Sequence, residues 1–352
     1  MASNKVKGTP RMVDVAQAAG VSVPTASLVL SGKGERYSRD TQKRVKASAE
    51  NLGWRPNALI KGIQSGKSNM IGVLVPPYDS YYTKILAGIH MELAANDYVP
   101  ITLWIGQNEE NFFHSEKATD DGLQQIHRLI DRRVEGFILW PVIADTYARH
   151  FKEWLDRELP AVVIDAELPG GVGDTVETDE AQGGGLVAEH LASRGHRRVV
   201  VLSRKTQNLD DWSGQRTSAA VSGLEERGVE VRVCKPEDHP DAIYASCVEI
   251  LEGDYKPTAV FCITDAMAAI FYSVALEKGV SIPEDISVMG YADLLKTSEL
   301  RPGLTTIRQQ PLEIGRAAAR LLVGRINGTV SVERQVLRFG CELVERGSIA
   351  QV

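Results

Sequence analysis

The residues that could carry catalysis in this 352-residue chain are seven histidines, four cysteines and several glycine-rich segments. Their spacing matches no HExxH zinc motif, GxSxG nucleophile elbow or Walker phosphate loop. Gly183–Gly185 comes nearest to a phosphate loop, but it lies inside a helix-like segment, so we expect close helix packing there. The cysteines form neither a CxxC metal spacing nor a disulfide framework. The sequence therefore predicts a protein that is not an enzyme and that uses no metal or cofactor.

Composition indicates a water-soluble globular chain of two or three domains, with 43% hydrophobic and 24% charged residues. No apolar stretch follows Lys5 and Lys7, so we expect no signal peptide. The longest apolar region, Ala259 to Leu276, is interrupted by Asp265 and is better explained as a buried strand followed by a helix. Together with the dispersed cysteines, these features favour a cytoplasmic location.

Charge is unevenly distributed along the chain. Residues 1–67 contain twelve Lys and Arg against four acids, a net of +8, whereas residues 68–352 contain 28 basic and 42 acidic residues, a net of −14. A small basic segment on a mildly acidic protein is typical of a surface that meets phosphates. The alternative is an ordinary solvated basic surface.

The sequence of the basic segment predicts three short helices. An apolar stripe from Met12 to Ala19 stops at Gly20, and Ser22 is placed to cap a second helix, in which Ala26, Val29 and Leu30 face inward. Ser38 is expected to cap a third helix that runs to about Leu52, with its buried side formed by Val45, Ala49 and Leu52. Such a trio places its second helix in the major groove of DNA.

The motifs in this segment resemble the LacI/GalR family of bacterial transcription regulators. They are Asp14-Val15-Ala16, Ala19-Gly20-Val21-Ser22, Thr25-Ala26-Ser27-Leu28-Val29-Leu30 and Gly53-Trp54-Arg55-Pro56-Asn57. The resemblance implies base contacts by Val23, Pro24 and Leu28, and phosphate contacts by Thr25, Ser27, Ser38 and Thr41. Leu28 stands where the family usually has an arginine, which favours an apolar contact such as one to a thymine methyl group. The alternative is a three-helix bundle without a DNA-binding role.

Asn57 can cap a short segment, Ala58 to Gln64, that is too glycine-rich to be helical alone and that we expect to fold on DNA. By the resemblance this is the family's hinge helix, and Ile63 is the apolar residue that wedges into the minor groove. The alternative is a solvated linker.

From Met70 onward, short β-branched runs alternate with amphipathic helical stretches, which predicts parallel sheets covered by helices. The runs are Ile71–Val75, Gly136–Trp140, Ala161–Asp165, Arg198–Leu202, Ala259–Ile263 and Ile286–Tyr291. Two such sheets imply two lobes and a ligand cleft beyond the carboxyl ends of the strands.

The resemblance extends over this region and makes it similar to periplasmic sugar-binding proteins. The predicted domains are 1–55 (helix-turn-helix), 56–67 (hinge) and 68–352 (effector binding and dimerisation). Chain crossings are expected near Glu167, Ser298 and Val330, which gives a first lobe of about 68–167 plus 298–329 and a second lobe of about 168–297 plus 330–352.

Candidate effector-binding residues follow from strand ends and from family positions. They are Tyr81, Tyr82, Trp140, Asp211, Asp265, Tyr291 and Gln309. Trp140 could instead pack in the core, and Asp265 could instead cap the helix that follows it. Asp211 stands where relatives often have a ligand-binding arginine, and Ala292 replaces an aspartate that usually follows Gly290-Tyr291.

The sequence as a whole predicts a ligand-responsive regulator, most simply a repressor of carbohydrate uptake or catabolism genes, that binds a pseudo-palindromic operator as a homodimer. An anionic effector is disfavoured by the carboxylates expected near the cleft, which are Asp79, Glu177, Asp179, Asp211 and Asp265. A neutral sugar or polyol is therefore preferred, with an amine-bearing or nucleoside ligand second. Arg204 and Lys205 are expected to be solvated loop charges; the alternative is that they turn inward to meet an anionic effector. The alternatives are a small-molecule receptor, cytoplasmic or extracytoplasmic, and a nucleotide-cofactor enzyme on the same two-lobed fold.

Overall fold

The computed structural model describes residues 10–56, 66–75, 80–104, 126–140, 159–167, 171–205, 211–293 and 297–352. The chain forms two compact units, residues 1–68 and 69–352. The first is an all-α head and the second a two-lobed α/β unit with largely parallel sheets, which confirms the predicted fold class. Among the described residues no single helix is long and apolar enough to cross a membrane, and only a pair bent by 102°, Met12–Ala19 with Val23–Leu30, reaches that length and composition together.

The head contains helices α1 (Met12–Ala19), α2 (Val23–Leu30) and α3 (Arg39–Leu52). Gly20 ends α1 with a φ of 65°, a left-handed conformation that glycine adopts without steric cost. The turn that follows sets α1 and α2 at 102°, within the range typical of a helix-turn-helix. The Ser22 and Ser38 hydroxyls accept hydrogen bonds from the backbone N–H groups of Thr25 and Thr41, as expected for N-caps.

The core of the head is small and apolar. Its buried members include Val15, Ala26, Val29 and Val45. Leu52, expected to face inward, is 39% exposed. It ends α3, and the left-handed turn at Gly53 brings Trp54 back against the core in its place.

The elements of the second unit follow one another in this order: β1 (Met70–Val75), α4 (Ser80–Ala95), β2 (Val99–Trp104), β3 (Phe137–Leu139), β4 (Ala161–Ile164), β5 (Asp174–Thr178), α5 (Glu180–Ser193), β6 (Arg198–Leu202), α6 (Trp212–Glu225), β7 (Glu230–Cys234), α7 (Pro240–Glu252), β8 (Ala259–Cys262), α8 (Asp265–Glu277), β9 (Ser287–Ala292), a 3-10 turn (Thr297–Glu299), β10 (Thr305–Arg308), α9 (Pro311–Ile326), β11 (Val336–Phe339) and β12 (Glu342–Val344). Residues 126–131 are also helical.

These strands form two six-stranded sheets. The first has the order β11-β5-β4-β3-β1-β2 and is parallel throughout. The second has the order β12-β10-β9-β8-β6-β7 and is parallel except for the antiparallel edge strand β12. Each sheet has its own apolar core, and helices α4 and α9 pack on the first sheet while α5 and α6 pack together beside the second.

Sheet membership differs from the predicted lobe boundaries. β5 and β11 pair with each other in the first sheet, and β10 lies in the second, so the chain changes lobes at about residues 179, 309–310 and 340–341. The boundaries near Glu167, Ser298 and Val330 were therefore wrong by roughly 10 residues each. β5 is buried although it carries acidic residues, because arginines from distant segments form ion pairs with its carboxylates, such as Arg325 with Asp174 at 2.6 Å. Its sequence therefore does not have the apolar pattern by which the other buried strands of this sheet were predicted.

The three crossings lie against one another. The Asp179 amide donates to the Phe339 carbonyl at 2.8 Å, and the Gln310 side chain donates to the Gly340 carbonyl at 2.8 Å. The Gln182 amide group both donates to and accepts from the backbone of Cys341. The lobes are thus joined by a hydrogen-bonded three-strand hinge.

Candidate functional site

Helix α2 presents a two-sided surface. Ala26 and Val29 are buried against α1 and α3, whereas Val23, Pro24 and Ser27 are exposed. Thr25 and Leu28 are half-buried. The five predicted α2 contact residues therefore lie outside the core of the head, three of them fully exposed.

Two hydroxyl pairs lie at helix N-termini in the head. The Ser22 and Thr25 hydroxyls are 2.8 Å apart, and those of Ser38 and Thr41 are 2.9 Å apart. Free N–H groups and the positive end of the helix dipole occur at such termini, which suits contact with a phosphate. Asn57 and Ile63, the predicted hinge residues, lie outside the described residues.

A cavity of about 380 Å³ lies between the two lobes. The first lobe contributes Tyr81 and Tyr82 at the start of α4, Trp140 after β3 and Asp165 after β4. The described lining residues of the second lobe are Glu180, Arg204, Trp212, Arg216, Asp238, Pro240, Ile243, Thr264, Ala266, Met267, Ile270 and Ala292. Gln309, on the second crossing, also lines the cavity, so lobe movement must change the cavity.

Four of the seven predicted effector residues line this cavity, namely Tyr81, Tyr82, Trp140 and Gln309. The other three lie behind its wall. Asp211 caps α6 by accepting from the Gly214 amide, and Asp265 accepts a 2.6 Å hydrogen bond from the Thr306 hydroxyl. Tyr291 is fully buried.

Asp265 does not cap α8, contrary to one of the two sequence interpretations. It is the first residue of the helix, and the Thr264 side chain accepts the capping hydrogen bond from the Met267 amide. Asp79, one of the carboxylates expected near the cleft, lies outside the described residues.

A buried ion pair forms the floor of the cavity on the side of the second lobe. The Arg216 guanidinium donates to both Glu180 carboxylate oxygens at 2.8 Å and to the Ile263 carbonyl at 2.6 Å. Both side chains are 4% exposed, and the guanidinium carbon lies 3.5 Å from the centre of the Tyr291 ring. Asp211 stands where relatives often have a ligand-binding arginine, but Arg216, five residues later, lines the cavity of this protein.

Arg204 faces the cavity instead of solvent. Its side chain is 12% exposed and donates to Ser213, Asp211 and Asp238 at 3.0, 2.8 and 3.5 Å. The expectation of a solvated loop charge was thus wrong for Arg204, because acceptors on two other segments draw it inward. Lys205, which is 64% exposed and paired with Glu237, matches that expectation.

Asp165 is the carboxylate on the first-lobe side of the cavity, and it is 8% exposed. The Tyr81 hydroxyl donates to one of its oxygens at 2.6 Å and the Thr178 amide to the other at 3.0 Å. Burial raises the pKa of Asp165 to about 7, against the lowering effect of the Tyr81 hydrogen bond, and the Glu180 carboxylate adds to the rise.

Sequence reasoning missed Asp165, Glu180, Trp212 and Arg216. Asp165 directly follows a predicted strand, so the rule that ligands lie beyond carboxyl ends of strands could have identified it. The other three depend on how α5 and α6 pack, for which the sequence gives no local signal.

An all-α head with an exposed second helix, followed by a two-lobed unit with a cavity at its hinge, defines a DNA-binding regulator that responds to a ligand. Family comparison supports this class. The model described as bacterial regulatory proteins, lacI family, matches residues 11–57, and that of a periplasmic binding protein-like domain matches residues 188–349. The chain thus matches the LacI family of bacterial regulatory proteins in its head and periplasmic binding protein-like domains in its second unit.

The chain is also similar over nearly its whole length to individual proteins. The chain is 29% identical over 343 residues to the HTH-type transcriptional repressor PurR of Vibrio atlanticus (strain LGP32), covering 96% of this chain and 97% of that protein. It is similar in fold to the lac repressor dimer bound to operator and the anti-inducer ONPF, with a TM-score of 0.82, 22% identity and coverage of 97% and 99%. It also resembles a complex of the transcriptional regulator CelR with cellobiose, with a TM-score of 0.68, 25% identity and coverage of 96% and 99%.

Proposed function

We propose that this protein is a transcriptional repressor that binds a pseudo-palindromic operator as a homodimer and is controlled by a sugar or polyol in the interlobe cavity. The observation that carries the proposal is the cavity itself, because residues of both lobes and of a chain crossing line it. A ligand that binds one lobe angle better than another shifts the population toward that angle.

The operator-binding part of the proposal rests on α2. Val23 and Pro24 are exposed at its N-terminal end, where a recognition helix meets base edges, and Leu28 lies one turn further on. Lys and Arg in the +8 segment supply phosphate contacts. Two relatives support repression and dimerisation by name, the PurR repressor and the operator-bound lac repressor dimer.

The effector part rests on the side chains that line the cavity. Aromatic rings of both lobes, Tyr82, Trp140 and Trp212, offer apolar surfaces, and a volume of about 380 Å³ falls in the range of small-molecule sites. The polar groups of both cavity arginines already donate to acceptors within the protein. An anionic effector would therefore have to compete with the carboxylates that already pair with both guanidinium groups, whereas hydroxyl groups can donate to the remaining acceptors. The cellobiose complex of CelR is consistent with a carbohydrate.

The test is to select an operator from random duplexes and to screen sugars, polyols and nucleosides for a change in its affinity. A supporting ligand raises the thermal stability of the full chain, by about 2.7 kcal/mol at 100 times its dissociation constant, and alters operator binding. Trp140→Leu weakens that response, whereas Val233→Ala, at an exposed site in β7, leaves it unchanged. If the protein selects no duplex, the proposed operator binding is wrong. If only nucleosides change operator affinity, the proposed sugar or polyol effector is wrong.

A further inference from the structure

The charged groups of the interlobe cavity are not equally compensated. Within the described residues, three carboxylates and two guanidinium groups line it. Glu180 is paired with Arg216, and Asp238 with Arg204. Asp165 makes no ion pair within the described part of the chain, although it is the carboxylate closest to the aromatic side chains of the first lobe, through its hydrogen bond to Tyr81.

Asp165 is held in place by neutral donors. The Tyr81 hydroxyl and the Thr178 amide occupy one carboxylate oxygen each, and Gln309 in turn donates to the Thr178 hydroxyl at 2.9 Å. The Arg216 guanidinium acts on Asp165 only electrostatically and is itself paired with Glu180, whose carboxylate has the opposite effect. A buried carboxylate with neutral hydrogen-bond donors and no ion-pair partner of its own keeps an unfavourable desolvation energy in its charged form. The raised pKa of Asp165 is consistent with that environment. A bound cation would remove the deficit.

Three aromatic rings surround the same corner of the cavity. The Tyr81 and Tyr82 rings lie at an interplanar angle of 75° with their centroids 5.7 Å apart. The Tyr81 and Trp140 rings lie at an interplanar angle of 85° with their centroids 5.9 Å apart. Tyr82 and Trp140 have 75° and 4.4 Å. Three nearly perpendicular ring planes form a corner. The rings contact one another edge to face, and where a ring face is turned to the cavity it attracts a compact cation such as an ammonium group.

We propose that the Tyr81–Tyr82–Trp140 corner and the Asp165 carboxylate form a subsite for an ammonium group, so that the effector is an amine-bearing ligand such as an amino sugar or amino alcohol. The inference rests on the proposed effector function and replaces the expected neutral ligand with a cationic one. The other charged groups that the described lining contains form ion pairs with each other, so Asp165 is the carboxylate that an ammonium group would neutralise.

The experiment compares probes that differ mainly in charge. Choline is matched with 3,3-dimethylbutan-1-ol, and glucosamine with glucose, and each is titrated calorimetrically against the full-length protein. In at least one pair we expect the cationic member to bind more tightly by about tenfold or more. Asp165→Asn should abolish this preference, because asparagine keeps the shape and tolerates the φ of 50° at this position but carries no charge.

Asp238→Asn is the matched control, since it removes the same charge from the cavity lining at a carboxylate that is already paired with Arg204. It should retain most of the preference for the cation. Cation binding should also release protons near pH 7, because it lowers the pKa of Asp165, which faces Tyr81, Glu180 and Arg216. Titration in two buffers of different ionisation enthalpy measures that release.

The inference is overturned if the neutral member of both pairs binds as well as the cationic one, if no cationic probe binds, or if Asp165→Asn and Asp238→Asn lose the preference equally. A neutral sugar that changes operator affinity while no cation is preferred would refute the ammonium subsite and leave the proposed repressor function intact. Failure of every sugar and amine to affect operator binding would instead refute the effector function.

Discussion

The buried Glu180–Arg216 pair allows a quantitative test of how the second-lobe side of the cavity is stabilised. Both side chains are 4% exposed, and two of the guanidinium hydrogen bonds go to the Glu180 carboxylate. Glu180→Gln keeps the shape but turns a donor of the new amide toward the guanidinium, which remains charged and buried. Removing one partner of a buried pair costs about 3–5 kcal/mol. In a protein of this size that lowers the midpoint of thermal unfolding by roughly 5–15 °C.

The matched control is Glu313→Gln. Glu313 also lies in the first turn of a helix and pairs with an arginine, Arg316 at 3.0 Å, but its side chain is 47% exposed. Both substitutions remove an acidic residue from a helix N-terminus, so their difference isolates burial of the ion pair. Glu313→Gln should cost at most about 1 kcal/mol.

Calorimetry measures the melting temperature and the free energy of unfolding of the two variants and of the double variant Glu180→Leu/Arg216→Met. The double variant should recover much of the loss, because a buried pair can be replaced by apolar residues at little cost. Equal melting points for Glu180→Gln and Glu313→Gln would refute the reasoning, and so would a double variant less stable than Glu180→Gln.

Three further predictions concern helix packing, pH and operator binding. Gly183→Ala should destabilise the protein, since its Cβ would lie 2.0 Å from the Tyr291 hydroxyl, whereas Gly185→Ala in the same helix meets no atom within 4 Å and should stabilise it by up to about 1 kcal/mol in urea unfolding. Burial lowers the pKa of His196 from 6.5 to about 4, so the unfolded chain takes up the proton at a higher pH than the folded chain does. The melting temperature should therefore fall as pH drops from about 6.5 to 4, and His196→Asn should make it depend less on pH over this range. Operator affinity should decrease by about 10³-fold between 50 and 200 mM salt, and a salt-independent complex would contradict the phosphate contacts. Leu28→Arg should shift the selected half-site toward guanine, and it should change the slope of log affinity against log salt concentration by no more than about one.

The head was predictable because its signals are local. Gly20, Ser22, Ser38 and the apolar stripes each act within a few residues of their own position, and the three helices begin and end where those signals place them. Leu52 was the exception, since its burial depended on where the chain goes after Gly53.

Strands and lobes were predictable only where burial shows in the sequence. The apolar runs at β1, β3, β4, β6, β8 and β9 were found, but β5 carries Asp174 and Glu177 in buried positions. Their partners Arg325 and Arg338 lie about 150–160 residues later. Compensation over such distances leaves no local pattern, so the lobe boundaries were misplaced.

The cavity shows the same division. Tyr81, Tyr82 and Trp140 follow or precede strands in positions that a parallel fold directs toward the cleft. Whether Arg204 and Arg216 turn inward depends on acceptors on other segments, namely Asp238 and Glu180. Aromatic lining could thus be inferred from position, whereas the direction of a charged side chain could not.

The interleaved order of the strands bears on how the chain is made. The edge strands β11 and β12, one for each sheet, lie within residues 336–344, so neither lobe is complete until that segment has left the ribosome. Helices of the head need only local contacts and can form when the first sixty residues or so have emerged. A nascent or truncated chain without residues 336–344 therefore has a folded head and two sheets with unpaired edges at β5 and β10, which are templates for aggregation.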